Sequence, residues 1–202
     1  MISPMDVRFA VIGGGNGGLA MAGYLAYKGF LVNLYNRTQA KIQSLIDNPT
    51  IDLTGAVEGS GRLNKVTSDI GEAIRNTDII MVTTPATSHY ELARLMAPHL
   101  EEGQIIVLNP GRTGGALEVY ETLRSSGCKK NIVVAEAQTF IYACRATGPR
   151  SAKIFSVKHE VALAAIPAIF THKVIRLLSG AYPQFTPARN VMETSLNNFG
   201  AI

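Results

Sequence analysis

The chain has 202 residues, 47% of them hydrophobic and 17% charged, with a formal net charge of +4. That balance excludes a disordered chain, and the scattered Lys and Arg form no basic stripe interleaved with aromatics, so nucleic acid is not an expected partner. Cys128 and Cys144 have no metal-ligand spacing, so neither a disulfide framework nor a metal site is expected. No leader precedes the first apolar run and no run approaches membrane-spanning length, which predicts a soluble, cytoplasmic protein.

Residues 7–12 form a short apolar run with β-branched residues and a Phe, the signature of a buried strand. The next segment, Val11-Ile12-Gly13-Gly14-Gly15-Asn16-Gly17-Gly18-Leu19-Ala20, sets Gly13, Gly15 and Gly18 on the G-x-G-x-x-G spacing, and good helix formers follow it. In that context Gly13 permits the tight turn, Gly15 lets the backbone approach a pyrophosphate, and Gly18 lets helix and strand pack closely. Asn16 joins them at the helix N-terminus, where free N–H groups and the dipole favour an anion. The expected fold is therefore α/β, a Rossmann-type, doubly wound and mainly parallel sheet with helices on both faces.

The helix runs to about residue 28, with Gly29 placed to cap it. Residues 30–35 form the second strand, and its end reads Asn36-Arg37-Thr38, with no acid between residues 31 and 40. An NAD-preferring fold places Asp or Glu about 20 residues past the glycines to bind the ribose hydroxyls. Arg37 can instead stack on adenine and pair with a 2′-phosphate, with Asn36 and Thr38 donating to the same group. This favours NADP over NAD. The alternative makes Thr38 a helix N-cap and Arg37 a solvated charge.

A helix follows over residues 40–46. Residues 51–66, punctuated by Gly55, Gly59 and Gly61, predict a small strand pair on the sheet edge. A short helix covers residues 69–75, and the strand at 78–83 delivers Thr83 and Pro85 to a strand's carboxyl end, where open α/β sheets bind ligands. His89 lies on the next helix, residues 86–99, and reads as a packing or surface residue. The strand at 104–108 ends in Asn109-Pro110-Gly111-Arg112-Thr113-Gly114-Gly115, a second glycine-rich turn leading into a helix. Asn109 suits a ribose or nicotinamide group and Arg112 an anion. After the strand at 131–136, Glu136, Gln138, Thr139 and Arg145 form a polar set at the expected crevice, with a buried structural network as the other possibility. Residues 153–157 and 160–166 resemble a hairpin around Lys158-His159, and a helix runs from Pro167 to about residue 179. From residue 187 a new helix begins, and the apolar ending Phe199-Gly200-Ala201-Ile202 calls for a partner surface. Residues 1–186 are thus read as a nucleotide-binding domain and 187–202 as the start of a helical one, with an exposed helix stub that would favour a homodimer.

The first glycine motif, Asn109-Pro110-Gly111-Arg112, and Glu136-Ala137-Gln138-Thr139 with Tyr142-Ala143-Cys144-Arg145 together resemble the octopine/nopaline (opine) dehydrogenases. The likeness covers the N-terminal nucleotide-binding domain of that family. It implies reductive condensation of an amino acid with a 2-oxo acid, using hydride from NAD(P)H. Gly13, Gly15, Asn16, Gly18, Asn36, Arg37, Thr38, Thr83, Pro85 and Asn109 would hold the cofactor. Arg112, Glu136, Thr139 and Arg145 are candidates for substrate. The family's catalytic His–Asp pair lies in its helical C-terminal domain, and His89, His99, His159 and His172 do not match it, so no catalytic residue is expected in this chain. Ketopantoate and glycerol-3-phosphate reductases share the nucleotide domain, and a non-catalytic NADP(H) sensor is the reading from another class.

Overall fold

The central strands are buried at every position, which is why they read as continuous apolar runs instead of alternating ones. The computed structural model describes residue 3 and residues 5–197. The first half comprises β1 (Phe9–Ile12), α1 (Asn16–Tyr27), β2 (Val32–Tyr35), α2 (Gln43–Asp47), β3 (Thr50–Gly55), β4 (Gly59–Arg62), β5 (Lys65–Thr67), α3 (Ile70–Ile74) and β6 (Ile79–Val82). The second comprises α4 (His89–Met96), β7 (Ile105–Leu108), α5 (Gly115–Ser125), β8 (Val133–Ala137), β9 (Tyr142–Gly148), β10 (Ser151–Val157), β11 (Val161–Ile166), α6 (Thr171–Leu178), β12 (Phe185–Pro187) and α7 (Val191–Leu196).

The main sheet has eight strands in the order β12-β11-β8-β7-β6-β1-β2-β5. Six run parallel; β11 pairs antiparallel with β8, and β12 follows β11 in parallel. Side chains alternate between two cores: Phe9, Val11, Ile79 and Met81 face α1 and α6, while Ala10, Ile12, Ile80 and Val82 face α3, α4 and α5. This is the doubly wound α/β architecture expected. Among the described residues, no helix is long and apolar enough to cross a membrane.

Two expectations fail, for one reason. Residues 51–66 do not form an edge pair of the main sheet, and residues 153–166 do not form a hairpin. A second sheet, ordered β4-β3-β10-β9, takes β3 and β4 from the first region and β10 from the second. β11 belongs to the main sheet, and only β5 of the first region joins its edge. The second sheet lies over α1. There a Cβ at Gly61 would come 2.3 Å from the Gly23 carbonyl oxygen, so backbone packs on backbone. Residues 19–23 of α1 are buried throughout because α1 is covered on both sides, which explains its nearly charge-free sequence. The apolar ending expected to need a partner surface, residues 199–202, lies outside the described residues.

The tightest contact joins α1 to the turn before it. A Cβ at Gly18 would fall 1.6 Å from the Gly13 carbonyl oxygen and 3.0 Å from Thr83 Oγ1. Gly18→Ala is therefore expected to destabilise the fold by at least about 2 kcal/mol, because the obstacle is backbone. Urea unfolding checks this, and a midpoint unchanged from the parent would contradict it.

Candidate dinucleotide site

The first glycine-rich turn is fixed from three directions. Thr83, just past the end of β6, donates its Oγ1 hydrogen to the Ile12 carbonyl at 3.0 Å. Asn36, just past β2, accepts from the Gly14 N–H at 3.1 Å and donates to the Thr38 carbonyl at 3.0 Å. Asn16 accepts from the Ala146 N–H of β9 at 2.9 Å, and the Cys144 thiol donates to the Asn16 carbonyl at 3.6 Å. Phe140 closes one side, its ring 2.9 Å from where a Gly17 Cβ would sit. Among the described residues, nothing lies within 4 Å of a Cβ built at Gly15. A turn held this firmly, beside open space at the N-terminus of a helix with no acid in its first turn, is built to receive an anion.

A row of cavities follows the carboxyl edge of the sheet. One, of about 230 Å³, lies at the end of β2 and is lined by Asn36, Arg37, Thr38, Lys41 and, opposite, Pro85 and Glu91. Thr38 precedes a short 3-10 turn, Gln39–Lys41, and makes no side-chain cap bond, so its hydroxyl faces no competing duty as an N-cap. A second, of about 300 Å³, is lined by Gly17, Thr83, Thr84, Asn109, Arg112 and Phe140. A third, of about 310 Å³, shares Pro110, Arg112 and Phe140 with it and adds Thr139 and Lys158. Lys158 Nζ donates to Thr139 Oγ1 at 3.0 Å. Two other cavities of similar size lie elsewhere, one around Arg8 and Asn64, the other around Leu123 and Phe170. Neither touches either glycine-rich turn.

Buried polar atoms without partners mark the middle cavity. Asn109 is 2% exposed; its Nδ2 donates to the Val107 carbonyl, while its Oδ1 has no partner among the described residues. Thr84 Oγ1 is likewise unpartnered. Each such atom costs about 1–3 kcal/mol unless water or a ligand satisfies it. An amide- or hydroxyl-rich ligand such as a nicotinamide riboside fits that demand. Behind this wall His89 is buried, with neither ring nitrogen partnered among the described residues. Burial holds its pKa below the ordinary 6.5, opposed more weakly by the Thr84 backbone and Glu118.

Not every predicted site residue reaches the crevice. Gly13, Asn36, Arg37, Thr38, Thr83, Pro85, Asn109, Arg112 and Thr139 line the row, whereas Gly15 lines none of its cavities and borders open space. Gly18 sits beneath it as packing, and Asn16 turns its carbonyl oxygen to β9. Glu136 is 1% exposed and faces inward: Oε1 accepts from Thr194 and Ser195 at 2.7 Å each, and Oε2 accepts from the Ala116 N–H at 2.9 Å. Burial pushes its pKa up from the usual carboxylate range, with those three hydrogen bonds opposing. Arg145 is exposed, while its neighbours Cys144 and Ala146 pack towards α1, so strand alternation turns it to the other face. Glu136 and Arg145 therefore do not share one polar set. Residues 83–85 were expected at this strand end, Thr84 without a role of its own; Lys41, Phe140 and Lys158 line the row without having been expected there.

The matches to known proteins follow this geometry. Residues 8–125 match the model of the NAD binding domain of 6-phosphogluconate dehydrogenase. The chain belongs to that family. As an NAD(P)-binding domain of this kind it is similar to the opine dehydrogenase of Arthrobacter sp. (strain 1C), 34% identical over 195 residues that cover 96% of this chain and 54% of that protein. Its fold matches that of an octopine dehydrogenase structure described with NADH and pyruvate, with a TM-score of 0.79 and 22% identity over 94% of this chain and 52% of that one. It also matches a yersinopine dehydrogenase structure with NADP+ bound, with a TM-score of 0.75 and 18% identity over 95% of this chain and 50% of that one. The chain spans about half the length of the curated opine dehydrogenases it matches.

Two outcomes follow. Gly15→Ala meets no protein atom, so its thermal midpoint should match the parent while NADPH affinity falls about tenfold or more as the methyl group blocks a pyrophosphate. Unchanged affinity would remove the pyrophosphate from that spot. Because folding lowers the His89 pKa, the unfolded chain binds more protons below about pH 6.5, and stability falls on acidification through that window. Glu136 has the opposite sign, its contribution lost as pH rises above its ordinary 4.5. Melts of His89→Leu across mildly acidic pH should show a flatter acid-side decline than the parent; an identical slope would contradict the assignment.

Proposed function

We propose that this chain is the cofactor-holding part of an opine dehydrogenase-like oxidoreductase, which condenses an amino acid with a 2-oxo acid and reduces the product with NADPH. The row of cavities along one sheet edge, with cations at both ends and unpartnered amide and hydroxyl oxygens in the middle, carries the reading. Its support from relatives is the 34% identity to an opine dehydrogenase over nearly the whole chain. The bound nicotinamide supplies hydride. The chain's own residues bind and orient: Gly13, Gly15 and Gly17 frame the pyrophosphate, and Arg37, Thr38 and Lys41 surround the adenosine phosphate. Asn109 and Thr84 meet the nicotinamide riboside. Arg112, with Thr139 and Lys158, receives a substrate carboxylate where the two larger cavities join. Asn16 and Asn36 serve by fixing the turn.

Residues 1–186 form the cofactor domain in this reading, and the segment from 187 opens the helical part that supplies the catalytic acid and base. Two free thiols, Cys128 and Cys144, fit a reducing compartment such as the cytoplasm.

Titrations followed by nicotinamide fluorescence should show tighter binding of NADPH than of NADH. Arg37→Ala should cost NADPH about tenfold and NADH markedly less, since both lose the adenine stacking contact and NADPH alone loses the partner of its 2′-phosphate. Equal losses for both would overturn the NADP preference. In an absorbance assay of this domain together with the helical part that supplies the acid and base, NADPH oxidation should require an oxo acid and an amino acid together. Oxidation with an oxo acid alone would place the protein with the ketopantoate-type reductases instead.

A further inference from the structure

The buried carboxylate of Glu136 stands at the meeting point of three elements, and nothing in the cofactor assignment uses it. It is the penultimate residue of β8, faces the first turn of α5, and touches α7 through two hydroxyls. Ser195 Oγ donates to the carboxylate and also accepts from the Gly114 N–H at 3.1 Å. Thus the carboxylate holds the second glycine-rich turn twice, directly at Ala116 and through Ser195 at Gly114. The turn lies so close that a Cβ at Gly111 would fall 2.2 Å from Glu136 Oε2. The next residue, Arg112, has φ +60°, a left-handed conformation that costs a non-glycine residue about 1–3 kcal/mol and persists only where its surroundings impose it. Here the surroundings are the carboxylate on one side and its two tethers on the other.

Resting on the carboxylate role given to Arg112 above, we infer that Glu136 is the positioning residue for Arg112. It sets the backbone that points the guanidinium at the junction of the two cavities. Thr194 and Ser195 make the docking of α7 part of the same device: when α7 is seated, both hydroxyls occupy Oε1 and Gly114 is held. The substrate subsite is then complete only with α7 in place. An exposed carboxylate would not serve, because water would compete for each donor. At 1% exposure water does not compete, and the Thr194 hydroxyl's other acceptor, the Val191 carbonyl of its own helix at 3.0 Å, is the longer contact.

The test is a double-mutant cycle on the full chain loaded with NADP+, with pyruvate binding followed by NMR. Arg112→Ala alone should weaken pyruvate binding; if it does not, the reading of Arg112 falls, and this inference falls with it. Glu136→Gln should weaken pyruvate about tenfold, shift the Gly114 and Ala116 amide signals, and change NADPH affinity less than about twofold. In the double variant the loss should equal that of Arg112→Ala alone, because Glu136 acts only through that side chain. Losses that add in full, or NADPH and pyruvate affinities that fall in parallel, would make Glu136 a merely structural group and overturn the inference. Thr194→Val with Ser195→Ala keeps the carboxylate and covers the case in which Glu136→Gln fails to fold. It should reproduce the Gly114 shift and at least half of the pyruvate loss, and parent-like behaviour would contradict the link to α7.

Discussion

The Gly13 carbonyl oxygen leaves no room for a side chain at residue 18, and much of the molecule follows from that contact. With only a hydrogen on Gly18, α1 starts directly from the carboxyl end of β1 and lies flat on the sheet. The first-turn N–H groups then face the space above Gly15, which stays open. α1 is also short of charge, so it must be covered on its other side, and the second sheet does this through the Gly23–Gly61 approach. That sheet in turn brings β9 to the glycine-rich turn, where Ala146 and Cys144 hold Asn16. The first glycine-rich turn is thus trapped between two sheets, and rigidity of this kind is what would let backbone donors hold a phosphate without reorganising.

The two glycine-rich turns are built alike and held differently. The first is fixed by neutral hydrogen bonds, Asn36 accepting from Gly14, Thr83 donating to Ile12 and Asn16 accepting from Ala146. The second is fixed by one buried carboxylate that binds α5 and α7 together. Between them lie the unpartnered oxygens of Asn109 and Thr84. The edge of the sheet therefore offers backbone donors and cations at its ends, with amide and hydroxyl groups between. In the proposed reading the cations at the β2 end take the adenosine phosphate, the middle takes the nicotinamide riboside, and the cations at the other end take a substrate carboxylate.

Local sequence revealed the parts of the fold that local physics decides. Apolar runs of four to six residues marked β1, β6 and β7, and the glycine spacing marked the turn and α1. The second sheet was not legible, because β3 pairs with β10 about a hundred residues away and nothing in either strand names its partner. The apparent hairpin over residues 153–166 shows the same limit: its two strands are neighbours in sequence and lie in different sheets. At the site, Glu136 was visible as a polar residue ending an apolar strand, yet its partners Thr194 and Ser195 come 58 and 59 residues later. Arg145 was not separable from the polar set, because residues 142–148 carried no strand reading; once they form β9, alternation turns Arg145 to the face opposite Cys144.

The most direct measurement is an amide NMR titration of the chain with NADPH. The account predicts shifts at residues 13–17, 36–38, 83–86 and 109–112, with Arg8, Asn64, Leu123 and Phe170 unmoved. Shifts centred on the cavities around those last four residues would place the ligand on another part of the molecule. An unperturbed spectrum would deny that the open space above Gly15 receives a dinucleotide at all.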